Sequence, residues 1–333
     1  MSFTFIDGNA APNLVAENAA SGVTSGITVA AVNDIFEAFE EFTTDNISYS
    51  TSSVLFDVDG ATGVITLVGS LDYEADQFHD VIVTATSLDG TSASETFTIA
   101  VADFNEHNVS AVSDTNTGAN TLAENASSGA AVGITASASD ADGTTNTISY
   151  SLSSNPGNLF AIGSSSGIVT LSGSLNYETA TSHDIEVTAT SADTSTSTAS
   201  YTISVTDVDE FDVTTPTDGN NATNEIDENA SAGTVGVTAS ASDADGTTNT
   251  ITYSLTNDDG GNFDIDSGTG VVSTTGSLDH EAGATRTIEV TATSADGSSK
   301  AETFTVAVND VDEFNVSSVS DTNTGANTLA ENA

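Results

Sequence analysis

The chain has 333 residues, of which 49 are Asp or Glu and only two, Arg286 and Lys300, are basic, for a formal charge of −47. So acidic a surface repels polyphosphate and anionic lipid, which excludes nucleic acid and membrane surfaces as partners. Without a cysteine there is no disulfide framework, so stability has to come from core packing and bound metal.

High charge can signal disorder, but 37% of the residues are apolar and they fall in alternating runs. No apolar stretch reaches the ~18 residues of a membrane span. Residues 1–5 lack the basic and apolar regions of a signal peptide, which fits a fragment of a longer protein or export by a route that reads a signal elsewhere.

In chain order, the front of the protein is atypical. Ile27 to Tyr49 spans 22 residues, against 16 for the matching Ile134 to Tyr150 and Val237 to Tyr253. The excess is acidic and aromatic, with Ile35, Phe39 and Phe42 spaced to share one face of a short helix, and is expected to cap the first domain. Further on come short segments in which every second residue is apolar: Ile148–Leu152, Ile168–Leu171, Ile185–Ala189 and Tyr201–Val205. The residues between are mostly Ser, Thr or Glu, the period of strands with one wet face. Gly turns such as Asp59-Gly60 and Asp142-Gly143 separate the runs. Asp57/Asp59 and Asp264/Asp266 are expected in hairpins.

The same acidic phrases return at fixed places. A Glu-Asn-Ala opener stands at Glu17, Glu124, Glu228 and Glu331, spaced 107, 104 and 103 residues apart. Each full copy then carries Leu-x-x-Glu (at Leu71, Leu175 and Leu278) and closes on an Asp-x-Asn/Asp-Glu phrase starting at Asp103, Asp207 or Asp310. About 104 residues is too long for a helical solenoid repeat and right for an independent sandwich. The expected fold is all-β: tandem Ig-like, Greek-key β-sandwiches of about seven strands, end to end. The boundaries are expected at 1–107, 108–211 and 212–314, with 315–333 the start of a truncated fourth unit, because Asn315–Ala333 nearly duplicates Asn108–Ala126.

Together with the Asp-Ala-Asp-Gly phrases at Asp140 and Asp243, and the Phe-Asp-Val/Ile-Asp signatures at Phe56 and Phe263, these five phrases in fixed order resemble the cadherin repeat, especially its bacterial cadherin-like form. The resemblance covers essentially the whole chain in three copies. It implies joints holding up to about three Ca²⁺ ions each. Carried over by residue, the first joint takes Glu17, Asp72, Glu74, Asp103, Asn105, Glu106, Asp140 and Asp142. The second takes Glu124, Glu178, Asp207, Asp209, Glu210, Asp243 and Asp245, with Asn176 standing where the family has Asp. Glu228, Asp279, Glu281, Asp310, Asp312 and Glu313 form half of a third. Asn146 and Asn249 fall one residue short of the family spacing. Where the family carries a further Asp after the sixth strand this chain has Ser191 and Ser294, and the acids two residues on, Asp193 and Asp296, are not counted as ligands.

The residue types point the same way independently. Calcium takes six to eight oxygen ligands, many of them carboxylates, and this chain offers acids and amides but no thiols and only four scattered histidines. Without metal, carboxylates ~4 Å apart repel by about 4 kcal/mol per pair at a surface-like effective dielectric. The histidines are expected on the surface, and no nucleophile arrangement accompanies them, so the chain is read as non-enzymatic. The expected function is a calcium-rigidified, extracellular or cell-surface stalk or filament segment of a large bacterial-type adhesin. Its partners would be its own neighbouring repeats and copies of itself. The alternatives are an adhesive module that itself binds a cell-surface or glycan ligand, and accessory domains of a secreted hydrolase.

Overall fold

The computed structural model describes residues 2–34, 47–313, 315–326, 328, 329 and 331. The expected face of Ile35, Phe39 and Phe42 lies outside the described residues. Those described form strands, with one 3₁₀ turn at Pro156–Asn158.

The first sandwich comprises β1 (Ser2–Asp7), β2 (Leu14–Ala16), β3 (Thr24–Asp34), β4 (Ser48–Thr51), β5 (Phe56–Val58), β6 (Val64–Leu67), β7 (Phe78–Thr86) and β8 (Ser92–Ala102). The second comprises β9 (Ser113–Asp114), β10 (Thr121–Ala123), β11 (Ala131–Ser137), β12 (Ile148–Ser154), β13 (Phe160–Ile162), β14 (Ile168–Leu171), β15 (Ser182–Ser191) and β16 (Thr196–Thr206). The third comprises β17 (Thr217–Asp218), β18 (Glu225–Asp227), β19 (Thr234–Ser240), β20 (Ile251–Asn257), β21 (Phe263–Ile265), β22 (Val271–Thr274), β23 (Thr285–Ser294) and β24 (Ser299–Asn309). Each has two four-stranded sheets, ordered β1-β3-β6-β5 and β2-β8-β7-β4 in the first and equivalently in the others. The chain packs as two compact units, Met1–Leu175 with Ser182–Val205, and Asn176–Thr181 with Thr206–Ala333.

Eight short strands per sandwich replace the expected seven because the first strand is split between the sheets. β1 runs antiparallel to β3, whereas β2 runs parallel to β8. Asx turns make the transfer: Asp114 Oδ1 accepts the Asn116 N–H at 2.9 Å and Asn116 Oδ1 accepts the Gly118 N–H at 2.8 Å. Asp7/Asn9 and Asp218/Asn220 repeat the device. The same Asp114 oxygen takes the Thr135 N–H at 2.9 Å, pinning the transfer to a bulge in β11. Gly133 sits at that bulge with φ +87°, where a Cβ would lie 2.4 Å from the Ala119 carbonyl oxygen, so only glycine fits.

Alternation then puts one face of each strand inside, as in β15, where Ile185, Val187 and Ala189 are buried. Each fully buried Ile or Leu, such as Ile65, Leu67, Leu171 or Ile288, stabilises by about 1.5–3 kcal/mol. A tyrosine on β12 ties the core to the acidic end: Ala138 N–H, two residues before Asp140, donates to Tyr150 Oη at 2.9 Å, and Ala241 N–H does the same to Tyr253 at 2.9 Å. Two of the histidines are half-buried and not simply on the surface, because a phenylalanine ring covers one side: His79 against Phe56 at 6.2 Å and His183 against Phe160 at 5.9 Å.

Candidate metal centre

The opener glutamate is the foundation of each acidic group. Glu17 follows β2 and its side chain is buried, with Oε2 accepting the Tyr73 N–H and Oε1 the Phe104 N–H, both at 2.6 Å. One carboxylate thereby fastens the Leu-Asp-Tyr-Glu turn and the closing phrase to the opener. Glu228 repeats this on the His280 N–H at 2.6 Å and the Val311 N–H at 2.8 Å. Those two hydrogen bonds hold the Glu228 carboxyl below the ordinary glutamate range. Glu124 is buried as well. Sequence reasoning read these acids as ligands and missed that they staple backbone.

In the first unit, single oxygens of Glu17, Glu74, Asp103 and Glu106 lie within 4.8 Å of one another. Asp142 reaches this group from the second sandwich. Fully buried, it accepts the N–H groups of Glu106 at 3.2 Å and His107 at 3.1 Å through Oδ1. In return Gly143 N–H donates to Glu74 Oε1 at 2.8 Å and the Thr144 hydroxyl to Asp103. Asp140 Oδ1 accepts the Asp142 N–H, and Asn146 Nδ2 donates to the Asp142 carbonyl at 2.6 Å, so Asn146 serves to close this loop. Asp140 and Asp142 form a second close group with Asp193, which sequence reasoning had not counted. Asn105 donates to Asp193 Oδ2 at 3.2 Å. Asp72 Oδ1 caps its own turn through the Ala75 N–H at 2.9 Å.

The second unit rebuilds the arrangement. Oxygens of Asp207, Glu210 and Asp245 lie within 4.8 Å of one another. Asp245 Oδ1 accepts the N–H groups of Glu210 and Phe211, Glu178 Oε1 accepts the Gly246 N–H, and the Thr247 hydroxyl donates to Asp207. Asp243 Oδ1 accepts the Asp245 N–H, and Asn249 closes the loop as Asn146 does. Asn176 keeps the turn that Asp72 makes, accepting the Thr179 N–H at 2.7 Å. At the end of the third sandwich Asp279 caps the Ala282 N–H and Glu228 is buried, while Glu281, Asp310, Asp312 and Glu313 are exposed.

The electrostatics are those of anions held together. One acid of each closing phrase is pushed above the ordinary carboxylate range. For Glu106 the cause is burial, then the charges of Glu17 and Glu74. For Asp209 it is burial, then Asp296 and Asp245, and for Glu313 burial, then Glu228 and Glu281. Among the described residues six carboxylate oxygens are buried with no hydrogen-bond donor: Asp103 Oδ1, Asp140 Oδ2 and Asp142 Oδ2, and their counterparts Asp207 Oδ1, Asp243 Oδ2 and Asp245 Oδ2. The two basic side chains are engaged elsewhere, Arg286 with Asp259 and Lys300 with Asp212. A hard, divalent, oxygen-seeking cation fits this donor set; a thiol- or imidazole-seeking one does not.

Tandem all-β sandwiches with acidic groups at their ends define a class of modular extracellular protein. A cadherin domain model matches residues 120–206 and 223–309, more than half of the chain, which therefore belongs to the cadherin family. It is made of extracellular, non-enzymatic adhesion domains, of a family whose repeats bind calcium at their linkers. Protocadherin Fat 4 of Homo sapiens is 36% identical over 152 residues, which are 43% of this chain and 3% of that protein. Protocadherin alpha-2 of Pan troglodytes is 38% identical over 141 residues, 40% of this chain and 15% of that one. The chain thus spans a small part of either relative. Among solved structures, mouse cadherin-23 EC22–24 has a TM-score of 0.70 at 22% identity, over 93% of this chain and 99% of that one. Extracellular cadherin domains 1–5 of protocadherin gamma B2 give 0.72 at 19% identity, over 93% and 62%. Fat 4, protocadherin alpha-2 and cadherin-23 come from animals, so the bacterial form of the repeat draws no support from them.

Proposed function

We propose that this chain is a calcium-rigidified stalk or filament segment of a large, bacterial-type surface adhesin. Its repeats divide at 1–107, 108–211 and 212–314, and residues 315–333 repeat the opening of the second. The reading rests on the six donorless carboxylate oxygens, three in one copy and the same atoms of the three equivalent residues in the next. A buried carboxylate is costly unless paired, hydrogen-bonded or metal-bound, and here the first two remedies are missing for those atoms. Calcium would be held at the first joint by Glu17, Asp72, Glu74, Asp103, Asn105, Glu106, Asp140 and Asp142. At the second it would be held by Glu124, Glu178, Asp207, Asp209, Glu210, Asp243 and Asp245. Glu228, Asp279, Glu281, Asp310, Asp312 and Glu313 would supply one side of a third. The ion converts mutual repulsion into a shared contact, so successive repeats of one polypeptide act as one stiff element that spaces, projects or links, including to copies of itself. Millimolar calcium outside cells asks only for weak sites, on the order of 10⁻⁴ to 10⁻³ M. The test is chelation: removing calcium lowers the thermal midpoint and shortens the particle in small-angle scattering. If neither quantity moves, the reading is wrong.

A further inference from the structure

We infer that Asp193 and Asp296, in the hairpin turns joining the last two strands of the second and third sandwiches, are cation ligands that complete the Asp-Ala-Asp end of each acidic group. This deepens the calcium reading and rests on it.

Asp193 lies in the turn between β15 and β16, far along the chain from the Asp-Ala-Asp loop, yet one of its oxygens comes within 4.8 Å of oxygens of both Asp140 and Asp142. Two oxygens bound to one calcium at 2.3–2.6 Å can be no more than about 5 Å apart, so three carboxylates at this spacing match a common ion. Acidic side chains also crowd for no purpose, and what sets this group apart is Asp142. Its side chain is fully buried, Oδ1 is used by two linker N–H groups, and Oδ2 has no donor at all. Asp140 Oδ2 is likewise buried and donorless.

The turn is built to hold Asp193 in place. Its Oδ1 accepts the Ser195 N–H and hydroxyl, both at 2.7 Å, and Ser195 Oγ in turn accepts the Val109 N–H from the linker at 2.9 Å. Asn105, one of the linker residues, donates to Oδ2. A carboxylate oxygen has more than one lone pair, so these bonds orient the group without using it up. Ser191, at the strand end, spends its hydroxyl on the Thr145 carbonyl at 2.8 Å, which leaves the acid two residues on as the one that faces the loop.

The third sandwich repeats the turn's clasp and the two donorless oxygens, with the acid Asp209 in the place of Asn105. Ser298 N–H donates to Asp296 Oδ1 at 2.7 Å, Ser298 Oγ accepts the Val213 N–H at 2.9 Å, and Ser294 donates to the Thr248 carbonyl at 2.8 Å. Asp243 Oδ2 and Asp245 Oδ2 are again buried without donors.

The experiment counts calcium bound to the full chain by equilibrium dialysis and calorimetric titration. It compares the parent with Asp193→Asn, Asp296→Asn and the charge-matched control Asp184→Asn. Asp184 lies on an outer sheet face, bonded to the Thr202 hydroxyl. Asparagine keeps the Oδ1 acceptor that the turn needs. Each ligand variant is expected to weaken one class of sites at least ~10-fold, with the thermal midpoint in chelator unchanged, while the control binds as the parent does. An unmoved isotherm, or one that shifts only in step with a lowered midpoint in chelator, overturns ligation by these residues and leaves the calcium reading standing. A parent chain that takes up no calcium overturns both.

Discussion

The opener glutamate fastens backbone at the same place where a ligand role is proposed for it. Both Glu17 oxygens accept backbone N–H groups at 2.6 Å, the short distance of charge-assisted bonds, and the same side chain lies among the acids of the first joint. Its value as a staple is separable from the ligand role proposed for it. Glu17→Gln keeps the shape but turns one acceptor into an amide N–H₂ facing a backbone donor. One N–H, of Tyr73 or Phe104, is then left without a partner, at a cost of about 1–3 kcal/mol. We expect that loss in urea unfolding carried out in chelator, where no ion contributes, and little change for Glu95→Gln on the exposed side of β8. Equal midpoints for the two variants would refute the staple. This role was not legible in the sequence, because the two donors lie 56 and 87 residues away along the chain. That Glu17 belongs to a recurring acidic phrase was legible from its return at Glu124 and Glu228.

At the scale of elements, the β21–β22 hairpin carries its own acid-sensitive clasp. Asp266 Oδ1 accepts the Thr269 hydroxyl and N–H, both at 2.8 Å, and the Gly268 N–H at 3.1 Å; Asp59 does the same in the β5–β6 hairpin. The Thr269 hydroxyl is the largest influence holding the Asp266 carboxyl below its ordinary value, followed by the two N–H groups. A folded-state pKa below the unfolded one means that the unfolded chain binds the proton more readily. The stabilisation is therefore complete above the unfolded value of ~3.9 and is lost as pH falls through the folded one. Asp266→Ala should lower the thermal midpoint near pH 7 and match the parent once the parent's Asp266 is protonated; a gap that persists unchanged into acid would point to packing instead. The hairpin pairs were readable from sequence because Asp-x-x-Thr-Gly between apolar alternations is turn chemistry. The split first strand was not, since β9 and β17 are two residues long and carry no period. Asp193 escaped for a related reason: sequence order puts Ser191 at the strand end, and only the folded turn carries the acid two residues on back over the Asp-Ala-Asp loop.

For the whole molecule, 49 acids against two bases invite a plainer explanation, that the charge is a general adaptation to salt. The two explanations differ in what relieves the repulsion. Monovalent salt screens exposed charges farther apart than the Debye length, about 8 Å at 0.15 M, and does little for partly buried oxygens within 4.8 Å of one another. A general effect would therefore follow ionic strength alone. Local groups should respond to millimolar CaCl₂ far beyond NaCl at the same ionic strength. MgCl₂ should fall short of CaCl₂, because the smaller ion gives up its waters reluctantly and demands stricter geometry. Protons offer a third relief with a definite sign. Glu106, Asp209 and Glu313 have raised folded-state pKa values, so the folded chain holds their protons more tightly than the unfolded chain. In chelator this makes their contribution to stability fall as pH rises above about 4.5. The low-pKa acids Glu228, Asp243 and Asp266 oppose it only in more acidic solution. Calcium would replace those protons, so thermal stability should decline in chelator as pH is raised from about 4.5, and the decline should flatten with a few millimolar calcium, of the order of the weak-site affinities. The same slope with and without calcium, together with equal midpoints in NaCl and CaCl₂, would leave surface solvation as the sufficient account of the acidity.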